Sequence, residues 1–385
     1  MKKLAVITSH PIQYNAPLFR LLAERSKIQI KVFYTWGQTK EGVVYDPDFN
    51  KSFRWDIPLT EGYDSVFIVN TSSSPGAGSF NGIKNKDLIK SVEQYKPDAL
   101  LVFGWSFHSH LQLLWYFKKK IKILFRGDST LLDEPNGFSL KKIARRLFLT
   151  QIYSGIDICL YVGKNNKDYF IKHGVKEISL VYAPHAVDND RFFDKNGIYS
   201  KQGIKWRQEL GIPQEAIIFL FAGKLEPKKD PLLLINCFRQ IPNKEIRLII
   251  AGNGVLEKQA KSIAVGDQRI LFLDFQNQLQ MPALYHMCDI FVLPSKGPGE
   301  TWGLSVNEAM ASSRPVLVSN KCGCANDLIK GNGKIFTAGS ATSLTQAMEE
   351  LINDKDKLNQ MSKMSRYIID SFSYNHIAKA IEESI

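Results

Sequence analysis

Short uninterrupted apolar runs alternate with stretches of helical periodicity along the chain, and this alternation leaves few folds open. KLAVITS is followed by APLFRLLAERS and then by IQIKVFYT. DALLVFG, HLQLLWYFKKK and IKILFRG repeat the pattern, as do IDICLYVG, NNKDYFIKHG and EISLVY. A short apolar run without polar alternation predicts a strand buried on both faces, as in a parallel sheet covered by helices. The second half continues through AIIFLFAG, EIRLIIAGNG, RILFLDF, DIFVLPS and RPVLVSN. The expected class is α/β, with two Rossmann-like, doubly wound domains, because 385 residues exceed one ordinary core.

The break falls in VYAPHAVDNDRFFDKNG, rich in Pro, Asn, Asp and Gly, with a strand before it and a new βα series after it. The expected domains are 1–187 and 188–370, with a C-terminal amphipathic helix over 371–385 packing back toward the first. Segment 36–85 is less regular and reads as loops inserted after an early strand. Two such domains are expected to face each other across a cleft, with ligands at the carboxyl ends of the strands. No window approaches about 18 apolar residues, which excludes a membrane-spanning helix from the expectation. The opening MKKLAVITSHPIQYNAP has too short an apolar run for a signal peptide and reads as a first strand. The five cysteines are odd in number and include no C-x-x-C, so a reduced, cytoplasmic setting without a metal is expected, KCGC lacking a second ligand pair.

Chemistry is therefore sought just after each strand. FLFAGKLEPKKDP ends a strand at Gly223 and continues with Lys224 and Lys229 before a helix. Two cations and a helix N-terminus suit a diphosphate; the plain alternative is a solvated lysine cluster. In LIIAGNGVLE, Gly252, Asn253 and Gly254 form a G-x-G, which by itself is more often only a tight βα turn. After DIFVLPS, the loop KGPGETWG leads into a helix near Leu304. The amides from Gly303 to Ser305 offer a second anion cradle. Glu300 lies just before it, with Thr301 and Trp302 between, and Glu308 one turn inside. Carboxylates accept hydrogen bonds from hydroxyls, so a diphosphate flanked by hydroxyl-bearing rings fits, which is a nucleotide sugar.

At this point GETWGLSVNEAM resembles the E-x7-E motif of the retaining glycosyltransferases of family four, which have the GT-B fold. AGKLEPKKD resembles their G-R-L-x-x-x-K-G element, with Lys224 for Arg and Asp230 for Gly. AGNG is similar to their A-G-D/N-G turn, and APHAVDNDRF to their P-N-G-V-D-x-x-x-F linker, with His185 for Asn and Ala186 for Gly. The resemblance is strong over about residues 180–340. It implies that Lys224 and Lys229 hold the donor diphosphate, Glu300 the transferred sugar and Glu308 the ribose. Lysine at 224 keeps charge but loses bidentate geometry. It further implies retention at the anomeric carbon, a nucleoside diphosphate leaving group and no metal or other cofactor. A double displacement through a carboxylate is the competing account. UDP-sugars are the favoured donors and GDP-mannose a second choice. The acceptor is expected to be a glycan or lipid-linked saccharide in cell-surface polysaccharide synthesis.

The first half departs from the family's commoner G-G-x-x-x-H opening and has SHPIQYNAPL instead. His10, Trp105, His108 and Arg126 are acceptor-side candidates, and Asp128 a catalytic candidate, because each follows a strand. A lone histidine is as readily structural. The Asp46/Asp48, Asp188/Asp190 and Asp354/Asp356 pairs read as surface loops rather than metal ligands.

Charge is uneven. Residues 1–187 carry 26 Lys+Arg against 16 Asp+Glu, and residues 188–385 carry 24 against 22, within a formal total of +12. Lysines from Lys118 to Lys122, and Lys141, Lys142, Arg145 and Arg146 set among Leu140, Ile143, Leu147 and Phe148, resemble a basic surface for anionic lipid at the inner membrane face. An ordinary surface helix is the alternative. No basic–aromatic platform indicates nucleic acid. Two rival functions remain open: a nucleotide-sugar 2-epimerase on a similar scaffold, and a non-catalytic nucleotide-sugar binder.

Overall fold

The apolar runs of the first half become parallel strands. The computed structural model describes residues 1–37, 44–46, 51–134 and 137–385. In chain order the strands are β1 (Lys3–Thr8), β2 (Gln29–Tyr34), the short pair β3 (Val44–Asp46) and β4 (Lys51–Phe53), β5 (Ser65–Phe67), β6 (Ala99–Phe103), β7 (Lys122–Arg126), β8 (Ile158–Tyr161) and β9 (Leu180–Tyr182). All but β3 and β4 form one sheet in the order β5-β2-β1-β6-β7-β8-β9, every neighbour parallel. Leu4 to Ile7 of β1 and Ala99 to Val102 of β6 are fully buried, which is why neither strand alternates in polarity. The order reverses between β1 and β6, so their carboxyl ends open at a topological switch point.

The second sheet holds β10 (Ile217–Ala222), β11 (Ile246–Ala251), β12 (Ile270–Leu273), β13 (Ile290–Leu293), β14 (Val316–Ser319) and β15 (Gly333–Phe336). Its order is β12-β11-β10-β13-β14-β15, again parallel throughout. The switch point lies between β10 and β13. Phe219, Phe221, Leu248, Ile250, Ile290 and Val292 fill the core on one face of this sheet, beneath the helices Pro231–Gln240 and Ala341–Ile352.

The chain divides into two units. One comprises Met1–Val44, Ile57–His185 and Tyr374–Ile385; the other comprises Tyr45–Asp56 and Ala186–Ser373. The last helix, Tyr374–Glu383, belongs to the first unit. Arg25, at the end of helix Ala16–Arg25, grips its Glu382 with both fork nitrogens at 2.7 and 2.8 Å. That carboxylate is nearly buried, and the bidentate hydrogen bonds hold its pKa below the ordinary value. Among the described residues no helix is long and apolar enough to cross a membrane.

Candidate functional site

In the second unit, the segments after β10 and β13 meet at the switch point. Beyond Ala222 the chain passes through Gly223 and Lys224 to a short 3-10 turn, Pro227–Lys229. Beyond Leu293 it runs through Ser295 and Lys296 to Gly303, which caps the helix Leu304–Ala311. Lys296 N donates to Lys228 O at 2.8 Å and stitches the two segments together. Lys229 Nζ then lies 2.5 Å from Glu300 Oε2, with both side chains largely buried. Ser295 Oγ donates to the same oxygen at 2.9 Å. The carboxylate is thus oriented by a cation from the 3-10 turn beyond β10 and a hydroxyl just past β13.

Gly303 has φ +103°, and a Cβ there would stand 2.8 Å from Leu293 Cδ2. Glycine lets the chain turn sharply into the helix, and it contributes no capping side chain. The first-turn amides of Leu304 and Ser305, with the helix dipole behind them, therefore face the segment in front. The helix is central, with Val306 to Ala311 buried. Trp302 Nε1 donates to Asn307 Oδ1 at 2.8 Å, so this tryptophan packs as part of the helix start. Glu308 is 2% exposed and accepts a 2.8 Å hydrogen bond from the Tyr285 hydroxyl.

The loop after β14 braces this segment from behind. Gly323 N donates to Glu300 O and Cys324 N to Trp302 O, each at 3.0 Å. Burial, with the Glu300 charge nearby, pushes the Cys322 thiol up to about 12, so it stays protonated and inert. KCGC is a brace. No group of three or more His, Cys, Asp or Glu side chains among the described residues is arranged to hold a metal ion. Asp188 and Asp354 cap helix starts, accepting from Arg191 N and Lys357 N. The Asp46/Asp48 pair lies outside the residues whose side chains are described.

Of the other donor-side residues, Lys224 and Thr301 follow the same two strands as Lys229 and Glu300. Gly252 and Asn253 lie in the loop after β11. A Cβ at Gly252 would meet Gly223 O at 2.1 Å, so the glycine lets the β11 loop lie against the β10 loop. Asn253 spends its side chain on Glu257, Asp274 and the amide of Phe275. The AGNG turn thus packs against the loop after β10.

In the first unit, His10 follows β1; its Nδ1 is 3.0 Å from Ser9 Oγ and its ring sits edge-on to Trp36. Burial lowers its pKa, which keeps the imidazole neutral near pH 7. Trp105 and Asp128, from the loops after β6 and β7, line one cavity of about 150 Å³ with Ser106, Ser129, Phe125 and Tyr153. His185 Nε2 lies 3.8 Å from Asp128 Oδ2. Arg126 is placed otherwise than the acceptor-side reading expects. It is 6% exposed and donates to Ala183 O at 2.7 Å and Pro184 O at 3.0 Å, clamping the chain just past β9. Burial pulls its pKa to about 10, still charged at neutral pH. His108 opens helix His108–Phe117 beside the Phe80 ring.

Sequence reasoning missed Ser295, Tyr285, Gly323 and His110. His110 is fully buried; its Nδ1 faces Phe103 O and Gly104 O, and Nε2 is 3.0 Å from Thr35 Oγ1. Ser295 had a usable signal, since it is the second residue after a strand.

Residues 203–368 match the model of a family described as glycosyl transferases group 1. D-inositol 3-phosphate glycosyltransferase of Nocardia farcinica is 27% identical over 359 residues, covering 85% of this chain and 77% of that protein. Lipopolysaccharide 1,2-N-acetylglucosaminetransferase of Salmonella typhimurium is 26% identical over 193 residues, 46% of this chain, so the match spans about half, 50%, of that relative's length. The Anabaena protein HepE, crystallised with UDP and glucose, superposes with a TM-score of 0.72 at 17% identity, over 100% of this chain and 99% of that one. Residues 203–368 thus match the group 1 glycosyltransferase family over most of the second unit, and the two-sheet architecture over the full length is that of the GT-B fold.

Proposed function

We propose that this protein transfers a sugar from a nucleotide-sugar donor to a saccharide or lipid-linked saccharide acceptor in the building of a surface polysaccharide. The observation that carries this reading is the buried Lys229–Glu300 pair at the switch point of the second sheet, in front of the Leu304–Ala311 helix start. Lys229, Lys224 and the first-turn amides supply positive charge for a departing diphosphate without a metal. Glu300 is assigned the hydroxyls of the transferred sugar, and Glu308 the ribose. UDP-sugars are the favoured donor class, supported by HepE, a protein of the same fold whose structure holds UDP and glucose. Retention at the anomeric carbon is the outcome the family resemblance implies, with the acceptor hydroxyl attacking on the face the diphosphate leaves and a phosphate oxygen taking its proton, so that no enzymic nucleophile is needed. Acceptor contacts are assigned to the first unit, at the cavity of Trp105 and Asp128. The relatives named above are transferases, which leaves the epimerase reading without support.

The test is thermal-shift binding across UDP-, GDP-, ADP- and dTDP-sugars, on the wild type and on Glu300→Ala and Lys229→Ala. One nucleotide class should stabilise the wild type, and both variants should weaken it. Stabilisation that survives both substitutions would move the donor elsewhere.

A further inference from the structure

Two contacts tie the chain leaving β9 to the chain leaving β7. Arg126, the last residue of β7, donates to Ala183 O at 2.7 Å and to Pro184 O at 3.0 Å. The next side chain, His185, reaches the same loop two residues on: its Nε2 lies 3.8 Å from Asp128 Oδ2. The backbone that carries this imidazole is well held. Ala183 is fully buried and its N donates to Tyr161 O at 2.9 Å, and Pro184 fixes its own φ. The His185 side chain is 18% exposed and that of Asp128 48%, so the histidine is the anchored partner and the aspartate the one with room to turn.

Asp128 is also a wall of the cavity it shares with Trp105, Ser106, Ser129 and Tyr153, and the one charged group among the described residues that line it. An indole ring, two hydroxyls, a phenol and a carboxylate suit a ring that bears hydroxyls. An N–H donated to one oxygen of a carboxylate fixes the plane of the group, and with it the directions from which a hydroxyl can donate. At 3.8 Å the His185–Asp128 pair stands just outside hydrogen-bond range, and a small rotation of the half-exposed aspartate closes it. Two charges act on the imidazole. Burial is the largest influence and lowers its pKa; Asp128 raises it and Arg126 lowers it, with a net fall from 6.5. Near pH 7 the ring is therefore neutral, with one nitrogen able to donate.

We propose that His185 is a positioning residue for the acceptor: it aims the Asp128 carboxylate at a saccharide hydroxyl held beside Trp105. The inference rests on the assignment of acceptor contacts to this cavity. It also gives the buried Arg126 a purpose, because the carbonyls it grips belong to the two residues ahead of His185.

NMR titration of the full chain with the methyl glycosides of glucose, galactose, mannose and N-acetylglucosamine tests it. Asp128→Ala should weaken whichever glycoside the wild type binds. His185→Phe should weaken it roughly tenfold, as for one lost hydrogen bond to a charged group. His185→Gln, whose amide donates over a similar reach, should recover most of that loss. In an Asp128→Ala background, His185→Phe should add less than about twofold, since its effect passes through the carboxylate. The His185 ring should also titrate at lower pH in Asp128→Asn than in the wild type. A histidine that merely packs would show neither the rescue nor the moved titration. Asp128→Asn alters a half-exposed side chain, so the titration decides even if His185→Phe does not fold. Full affinity in His185→Phe, additive losses in the double variant, or an unmoved titration would each overturn the role of His185 and leave the cavity its saccharide. Binding that survives Asp128→Ala, or no glycoside bound at all, would overturn the cavity reading and the histidine's role with it.

Discussion

Lys229 and Glu300 form a largely buried ion pair at 2.5 Å. On the proposed reading a diphosphate would take the lysine and a sugar hydroxyl the carboxylate. The two substitutions should therefore separate. Lys229→Ala removes a charge-assisted hydrogen bond and should weaken UDP roughly ten- to a hundredfold. Glu300→Gln releases Lys229 from its competitor, so UDP should bind at least as well while transfer falls. Calorimetric titration with UDP reads both; equal affinity in wild type and Lys229→Ala would remove the lysine from the phosphate site.

Stability should respond to the same pair. Glu300→Ala leaves a largely buried lysine without its anion and should lower unfolding free energy by about 3 kcal/mol, measured by urea denaturation. Lys229→Met, which removes the charge and keeps the stem, should cost less.

Two glycines hold the loops after β10, β11, β13 and β14 together by having no Cβ. A Cβ at Gly252 would meet Gly223 O at 2.1 Å, and one at Gly323 would meet Thr301 O at 1.7 Å. Both contacts are with backbone that cannot swing aside. Gly252→Ala and Gly323→Ala should each destabilise by roughly 3 kcal/mol or leave insoluble protein. At Gly78 a Cβ meets nothing within 4 Å, and Gly78→Ala should be neutral or slightly stabilising. Melting temperatures of the three variants check the contrast.

The sheets were legible because parallel strands buried on both faces leave continuous apolar runs. Lys229 and Glu300 were legible because each follows such a strand, and strand ends are where a doubly wound sheet places ligands. Arg126 follows the same rule and breaks it. It ends β7, but β8 and then β9 lie beside β7, and the chain leaving β9 presents the carbonyls of Ala183 and Pro184 to its guanidinium. That depends on strand order, which no local pattern encodes. His108 and His110 sit two apart on one helix; the helical turn sends one to Phe80 and the other into the core. In KCGC the cysteines drew attention, while the glycine between them does the bracing. The helix Leu140–Tyr153 showed its stripe in sequence, but whether a stripe is covered is a tertiary fact.

Tyr285 and Glu308 give a fourth test. The tyrosine is fully buried and donates 2.8 Å to a carboxylate that is 2% exposed. Tyr285→Phe keeps the ring and deletes one hydrogen bond to a charged group, which should cost about 1.5–3 kcal/mol in equilibrium unfolding. If Glu308 holds the ribose, loss of the hydrogen bond that orients its carboxylate should also raise the donor KM with little change in kcat. An unchanged KM would leave Glu308 a structural residue.

His110 makes the first unit acid-sensitive with a definite sign. Its Nδ1 faces the carbonyls of Phe103 and Gly104, and Nε2 lies 3.0 Å from the Thr35 hydroxyl, which donates to Thr8 O. Burial, the largest cause, lowers its pKa to about 4, against an ordinary value of 6.5. Between these values the unfolded chain binds a proton that the folded chain refuses. Stability is therefore full above about pH 6.5 and declines as pH falls toward 4, by about 3 kcal/mol in all. His110→Asn keeps a polar side chain that does not titrate. It should start less stable, for lost contacts, but show a flatter profile over that window. Urea midpoints measured from pH 7 to pH 4 on both proteins decide it: parallel profiles would assign the acid sensitivity to other groups.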